Sequence, residues 1–116
     1  MNLRGTAAEL AVAQGLLRRG YEVAAPLDPC CAYDLLFPVD GVWKTVQVKS
    51  TSSGRVWVRK RGKRDRKRAY EEGDFDYLAV VHQASGEIWL MPWAAIDDAT
   101  SLTIENQCWE EFKWTS

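Results

Sequence analysis

Histidine occurs once, at His82, and cysteine three times, as the adjacent Cys30 and Cys31 and the distant Cys108. No CxxC pair exists, so zinc-ligand spacing is missing. A histidine-based triad, a His/Cys metal centre and a disulfide scaffold are thereby poor readings. Three buried or half-buried thiols are the expectation, since free cysteine behaves as a small apolar residue. Nowhere do 18 apolar residues run uninterrupted, which argues against a helical membrane span. The first twenty residues carry Arg4, Glu9, Arg18 and Arg19 and hold no signal-like apolar run. A soluble, cytoplasmic chain is expected.

Repeats and low-complexity tracts are also missing. The 116 residues are 47% apolar and 27% charged, close to the globular average. One domain covering residues 1–116 follows.

A formal net charge of −1 conceals a strong asymmetry. Residues 55–68 hold nine basic residues (Arg55, Arg59, Lys60, Arg61, Lys63, Arg64, Arg66, Lys67, Arg68) against Asp65, a local charge of +8. The remainder, with six basic and fifteen acidic residues, carries −9. Concentrated cations attract polyanions, and arginine suits bidentate phosphate contact. The run is therefore a candidate polyanion-binding surface, such as one that grips the phosphates of a nucleic acid; the plainer alternative is a solvated loop.

Residues 3–19 read as a helix closed by Gly20. At 100° per residue, Thr6, Glu9, Leu10, Ala13, Leu16 and Leu17 fall within about 60° of one line, the expected inward face. Residues 21–24 read as a short strand. Residues 33–39 and 42–50 form two strands around Asp40-Gly41, a strong two-residue hairpin signal. Residues 56–58 are a fourth strand, and residues 75–82 and 87–91 a second hairpin around Ser85-Gly86. Residues 94–99 read as a helical turn and 107–114 as a short terminal helix. This order predicts an α/β (α+β) fold: a central mixed β-sheet flanked by helices.

The first hairpin sets a register. With Asp40-Gly41 as the loop, Val39 pairs with Val42 and Asp34 falls opposite Gln47. Period-two alternation places Lys49 on the face of Gln47 and sends Val46 and Val48 to the other. One face thus gathers a carboxylate, an amide and an ammonium, and an inward Glu9 approaches from the helix. Carboxylate and amide oxygens are hard ligands suited to Mg²⁺. A metal held there polarises a phosphoryl oxygen and supplies hydroxide at neutral pH, while a lysine orients water and offsets charge on phosphorus. Each residue has a plainer reading too. Thr6-Ala7-Ala8-Glu9 matches a helix capping box, and Gln47 and Lys49 fit the solvent side of an amphipathic strand.

Glu9 on the first helix, Asp34 at a strand and Gln47-Val48-Lys49 on the next resemble the PD-(D/E)XK nuclease core. The resemblance covers residues 3–51 and extends loosely over the 75–91 hairpin before Pro92. Among family members the chain resembles small intron-type homing endonucleases and archaeal-type Holliday junction resolvases. The resemblance implies a restriction-endonuclease-like core and Mg²⁺- or Mn²⁺-dependent DNA cleavage. By it, Glu9, Asp34, Gln47 and the Val48 carbonyl hold the metal, and Glu9, Asp34, Gln47 and Lys49 form the catalytic set. Tyr33 precedes Asp34 where the motif has proline, and Gln47 stands in place of the usual acid. That exchange removes one ligand charge and keeps a binding-only relative of the same fold in view; a structured-RNA nuclease is a third reading. Cutting two antiparallel strands implies a homodimer or homotetramer, with Trp89, Trp93, Trp109 and Trp114 as candidate interface residues or, in the plainer reading, simply core.

Overall fold

The computed structural model describes residues 3–28, 31–61, 67–69, 73–96 and 101–114. Helix α1 spans Leu3–Arg18, and Gly20 follows it with φ 89°, the left-handed conformation that glycine adopts without steric cost. Strands β1 (Leu35–Val39) and β2 (Val42–Thr51) follow. Next come β3 (Arg55–Trp57), β4 (Arg59–Arg61) and β5 (Lys67–Ala69). The chain continues through β6 (Tyr77–His82), β7 (Ile88–Pro92), α2 (Trp93–Ile96) and β8 (Ser101–Thr103). A 3₁₀ helix occupies Gln107–Phe112.

Four strands form the central sheet in the order β1-β2-β6-β7. β1 and β2 are antiparallel, β2 and β6 parallel, β6 and β7 antiparallel, so the sheet is mixed as expected. Asp40 (φ 52°) and Gly41 (φ 80°) make the tight turn; positive φ at both central residues is what a type I′ hairpin requires. The pairs run from Val39↔Val42 to Leu35↔Val46, the register expected from the turn.

Asp76 locks the parallel pair. Its carboxylate accepts from the Thr45 backbone N–H (2.8 Å) and hydroxyl (3.1 Å), and its own N–H donates to the Thr45 hydroxyl (2.9 Å).

Two apolar clusters cover the two sheet faces. On one, α1 packs Ala8, Val12 and Leu16 against Val46, Val48, Ala79 and Val81. On the other, Leu78, Val80, Trp89 and Met91 meet Val56, Leu102, Ile104 and Ile96. Full burial of a side chain such as Leu16 stabilises by about 1.5–3 kcal/mol.

Several expectations are corrected. Leu10 (66% exposed) and Leu17 (58%) lie outside, and Ala8 and Val12 take the inward positions. Because α1 begins at Leu3, Thr6 and Glu9 sit inside the helix and form no capping box. Residues 21–24 make only a single bridge, Ala24↔Leu36. The fourth strand is seen as β3, Arg55–Trp57, and joins β8 in a separate two-stranded sheet. The second hairpin turns through residues 83–86 as expected, with Gly86 N–H donating to the His82 carbonyl and His82 N–H to that of Glu87.

The helical turn expected over 94–99 is seen as Trp93–Ile96; residues 97–99 lie outside the described residues. Trp89 is buried, and Trp93, Trp109 and Trp114 pack against the two cores, so these four do not form an exposed patch. Cys108 is exposed, against expectation, and Cys31 is half-buried; Cys30 is outside the described residues. No described helix is long and apolar enough to cross a membrane.

Candidate active site

β1 stops short of its partner, and the site lies in that gap. Its last pair is Leu35↔Val46, so β2 continues past it with an open edge on the β1 side. Asp34 bridges the transition: its N–H donates to the Val46 carbonyl (2.8 Å), and its carboxylate accepts from the Val48 N–H (2.8 Å). Within a strand the N–H and C=O of one residue point to the same side. The Val48 carbonyl therefore faces the same open edge, where the Gln47 side-chain amide donates to it (3.3 Å).

A cleft of about 290 Å³ occupies this edge, lined by Gly5, Thr6, Glu9, Asp34, Gln47 and Val48. Glu9 arrives from α1, on the sheet face carrying Val46 and Val48, whereas Gln47 belongs to the opposite face. They meet at the cleft beyond the end of β1. Helix and amide were expected on a single face; the structure joins them around the strand edge instead.

Burial raises the Glu9 carboxyl above its ordinary pKa, followed by the negative charge of Asp34 and a hydrogen bond shared with it. Two acids sharing one cleft disfavour each other's ionised form. A cation would relieve that repulsion. Two carboxylates, an amide and a backbone carbonyl are all hard oxygen-bearing groups, and the donor set fits Mg²⁺ or Mn²⁺. It is leaner than a three-acid site, and the described residues hold no cluster of three or more His, Cys, Asp or Glu.

Lys49 is half-buried on β2, in register with Val80. It shares the strand face of Gln47 but does not line the cleft. Sequence reasoning missed Gly5, which lies one turn before Glu9 on the same side of α1. A glycine inside a helix, at a cost of about 1 kcal/mol, was the available signal for a close approach.

In the basic run, Arg55 stands on β3 with its guanidinium 4.7 Å from the ring centroid of Trp57. Arg59, Lys60 and Arg61 form β4, and Lys67 and Arg68 belong to β5, the two strands pairing as a separate ribbon. Lys63, Arg64 and Arg66 lie outside the described residues. A second cleft, about 740 Å³, opens at the far end of α1 beside Arg18, Arg19, Lys113 and Trp114 and includes none of the expected site residues.

A sequence model of the PD-(D/E)XK endonuclease family matches residues 1–111. The chain belongs to that family. It is also 32% identical over 108 residues to Protein 5.3 of Escherichia phage T7, covering 89% of each chain. In three dimensions this PD-(D/E)XK chain is similar to the bacterial homing endonuclease I-Ssp6803I. The TM-score is 0.75 at 26% identity, over 88% of this chain and 76% of the other. The α+β core with its mixed sheet is thus the fold of a homing endonuclease.

Proposed function

We propose that the chain is a divalent-metal-dependent endonuclease that hydrolyses phosphodiester bonds in DNA. The observation that carries this reading is the convergence of Glu9, Asp34, Gln47 and the Val48 carbonyl on one cleft at an open strand edge. Glu9 and Asp34 supply the anionic ligands, and Gln47 and the Val48 carbonyl complete the set for Mg²⁺ or Mn²⁺. When bound, such an ion polarises a phosphoryl oxygen and lowers the pKa of a bound water. Asp34 is fixed for this task by the Val48 N–H, which orients its carboxylate without consuming its charge. Lys49, next along the strand face, orients the attacking water and offsets the charge developing on phosphorus.

Target type follows from the relatives. Likeness to a homing endonuclease supports duplex DNA, and branched junctions remain the other target within this reading. A two-fold homodimer or homotetramer would present one site to each strand, and light scattering on free and DNA-bound protein tests that assembly.

A second reading, a DNA-binding module without catalysis, is favoured by two observations: Lys49 is not among the residues lining the cleft, and Gln47 stands where the motif has an acid. The deciding experiment incubates the protein with plasmid, a four-way junction and structured RNA, each with Mg²⁺, Mn²⁺ or EDTA. Metal-dependent cleavage of DNA is the expected result. Binding without cleavage under every condition would establish the module, and cleavage of RNA alone would establish an RNA nuclease.

A further inference from the structure

Two residues that line the cleft have no place in its donor set: Gly5 and Thr6. Both lie in the first turns of α1. Glycine costs a helix interior about 1 kcal/mol against alanine, and β-branched threonine is also among the weaker helix formers. Thr6 does not cap the helix, because α1 begins three residues earlier, at Leu3. Two poor helix formers in succession, where the helix borders the cleft, mark a local departure from propensity of the kind that function imposes.

Residues three and four apart on a helix are surface neighbours, with Cβ atoms about 5–6 Å apart. Gly5 and Thr6 therefore both flank Glu9. Gly5 and Glu9 are half-buried and Thr6 is exposed, so Thr6 stands nearest the mouth of the cleft. The phosphodiester of the proposed reaction carries two non-bridging oxygens. With a metal ion on one of them, the other still needs a hydrogen-bond donor. Ionised carboxylates only accept, which removes Glu9 and Asp34. The Gln47 amide N–H is directed at the Val48 carbonyl (3.3 Å), and Lys49 is not among the lining residues. Of the side chains that line the cleft, the Thr6 hydroxyl is left to donate. It carries one donor and two acceptor sites and rotates to suit its partners.

We propose that Thr6 is a substrate-binding residue whose hydroxyl donates to the non-bridging phosphate oxygen that the metal leaves, while Gly5, without a side chain, keeps the cleft wide enough for the sugar-phosphate backbone. This rests on the nuclease reading above and adds to it the group that orients the scissile phosphate.

The test titrates the full chain with a labelled short DNA duplex, once in Ca²⁺ and once in EDTA, and separately with Mn²⁺ alone by calorimetry. Thr6→Val keeps the shape and removes the hydroxyl; Thr6→Ser keeps the hydroxyl. Position 6 is exposed, so the Tm of both variants should hold. Hydrogen bonds to charged groups are the stronger ones, and losing one should weaken DNA binding by Thr6→Val about tenfold in Ca²⁺. The loss in EDTA should be small, and Thr6→Ser should bind as wild type does. Mn²⁺ affinity without DNA should be unchanged in both variants, which separates a contact to phosphate from an effect transmitted through Glu9. In Mg²⁺, Thr6→Val should cut at least about tenfold more slowly.

Wild-type DNA affinity in Thr6→Val overturns the proposal. An equal loss in Ca²⁺ and EDTA overturns it too, as does a matching fall in Mn²⁺ affinity. Should Thr6→Val lose Tm, Thr6→Ala, with the better helix former, must show the same metal-dependent loss. A chain whose Ca²⁺-dependent DNA affinity needs the hydroxyl, but which never cuts, refutes the nuclease reading alone. One that cuts DNA equally fast as wild type and as Thr6→Val refutes the Thr6 assignment alone.

Discussion

The Asp34 carboxylate accepts a hydrogen bond from the Val48 backbone N–H at 2.8 Å, so one side chain both closes the end of β1 and faces the cleft. Asp34→Ala removes two things at once. A partly buried N–H loses its partner, a loss of about 1–2 kcal/mol of stability, and the proposed metal site loses an anionic ligand. Cleavage should be abolished while DNA binding persists. Asp34→Asn separates the effects: its amide oxygen can still accept from Val48, so the melting temperature should recover while activity stays absent. Full activity in folded Asp34→Ala would refute the assignment.

Glu9 should make the metal-free protein more stable in mild acid than at neutral pH. Its carboxyl is raised in the folded state by burial and by Asp34, so the native chain binds the proton more tightly than the unfolded chain. Stability from this group is fully present below the ordinary carboxylate value of 4.5 and is lost as pH rises through the raised value. Glu9→Gln should flatten that part of the pH profile and raise the neutral-pH Tm of the metal-free protein. Mg²⁺ should stabilise the wild type by about 2.7 kcal/mol at a hundredfold excess over Kd and leave Glu9→Gln nearly unaffected. Calorimetric melts with and without Mg²⁺ check both halves.

What could be read ahead of the structure was local or periodic. Asp40-Gly41 dictates its own turn geometry, and strand alternation carries that register back as far as Leu35↔Val46; the expected Asp34–Gln47 pair is not formed, because Asp34 bonds Val46 and Val48 instead. The rotation of α1 was not. Leu10 and Leu17 compete with Ala8 and Val12 as the apolar stripe, and the shape of the sheet, which no window of the helix contains, decides for the slimmer one. Pairing of β3 with β8 was equally hidden, since the two segments are far apart in the chain and short strands carry no label for their partner. The open edge of β2 depends on where β1 starts, and strand ends are set by tertiary contacts such as Asp34 with Val48 more than by propensity.

Gly15 provides a test of how the carboxyl-terminal segment closes over α1. A Cβ added there would collide with the ring of Trp114, over which the Arg19 guanidinium sits at 4.1 Å from the centroid. Gly→Ala inside a helix is worth up to about 1 kcal/mol by propensity, whereas displacing packed atoms costs about 1–3 kcal/mol. The collision should win, and Gly15→Ala should lower stability with a change in tryptophan fluorescence. In a Trp114→Ala background the sign should invert, because only the propensity gain remains. Additive effects in that double-mutant cycle would show that the ring does not press on the helix.

Gln47→Glu addresses whether this lean donor set works because of Gln47 or in spite of it. In the metal-free protein the change places a third carboxylate beside Glu9 and Asp34 and removes the amide N–H that meets the Val48 carbonyl. A new anion then faces two anions and a carbonyl oxygen, so the metal-free melting temperature should fall. Metal reverses the ledger. A unit charge pair at 4 Å is worth about 1 kcal/mol even in bulk water and a divalent ion doubles it, so Mn²⁺ should bind about tenfold or more tightly by titration calorimetry. Cleavage should be kept or raised at limiting metal, with no gain at saturation if the native set already fills the site. Unchanged Mn²⁺ affinity would mean that the side chain at position 47 does not reach the ion. Cleavage appearing only in this variant would mean that the native chain is a binding module, kept inactive by one missing charge.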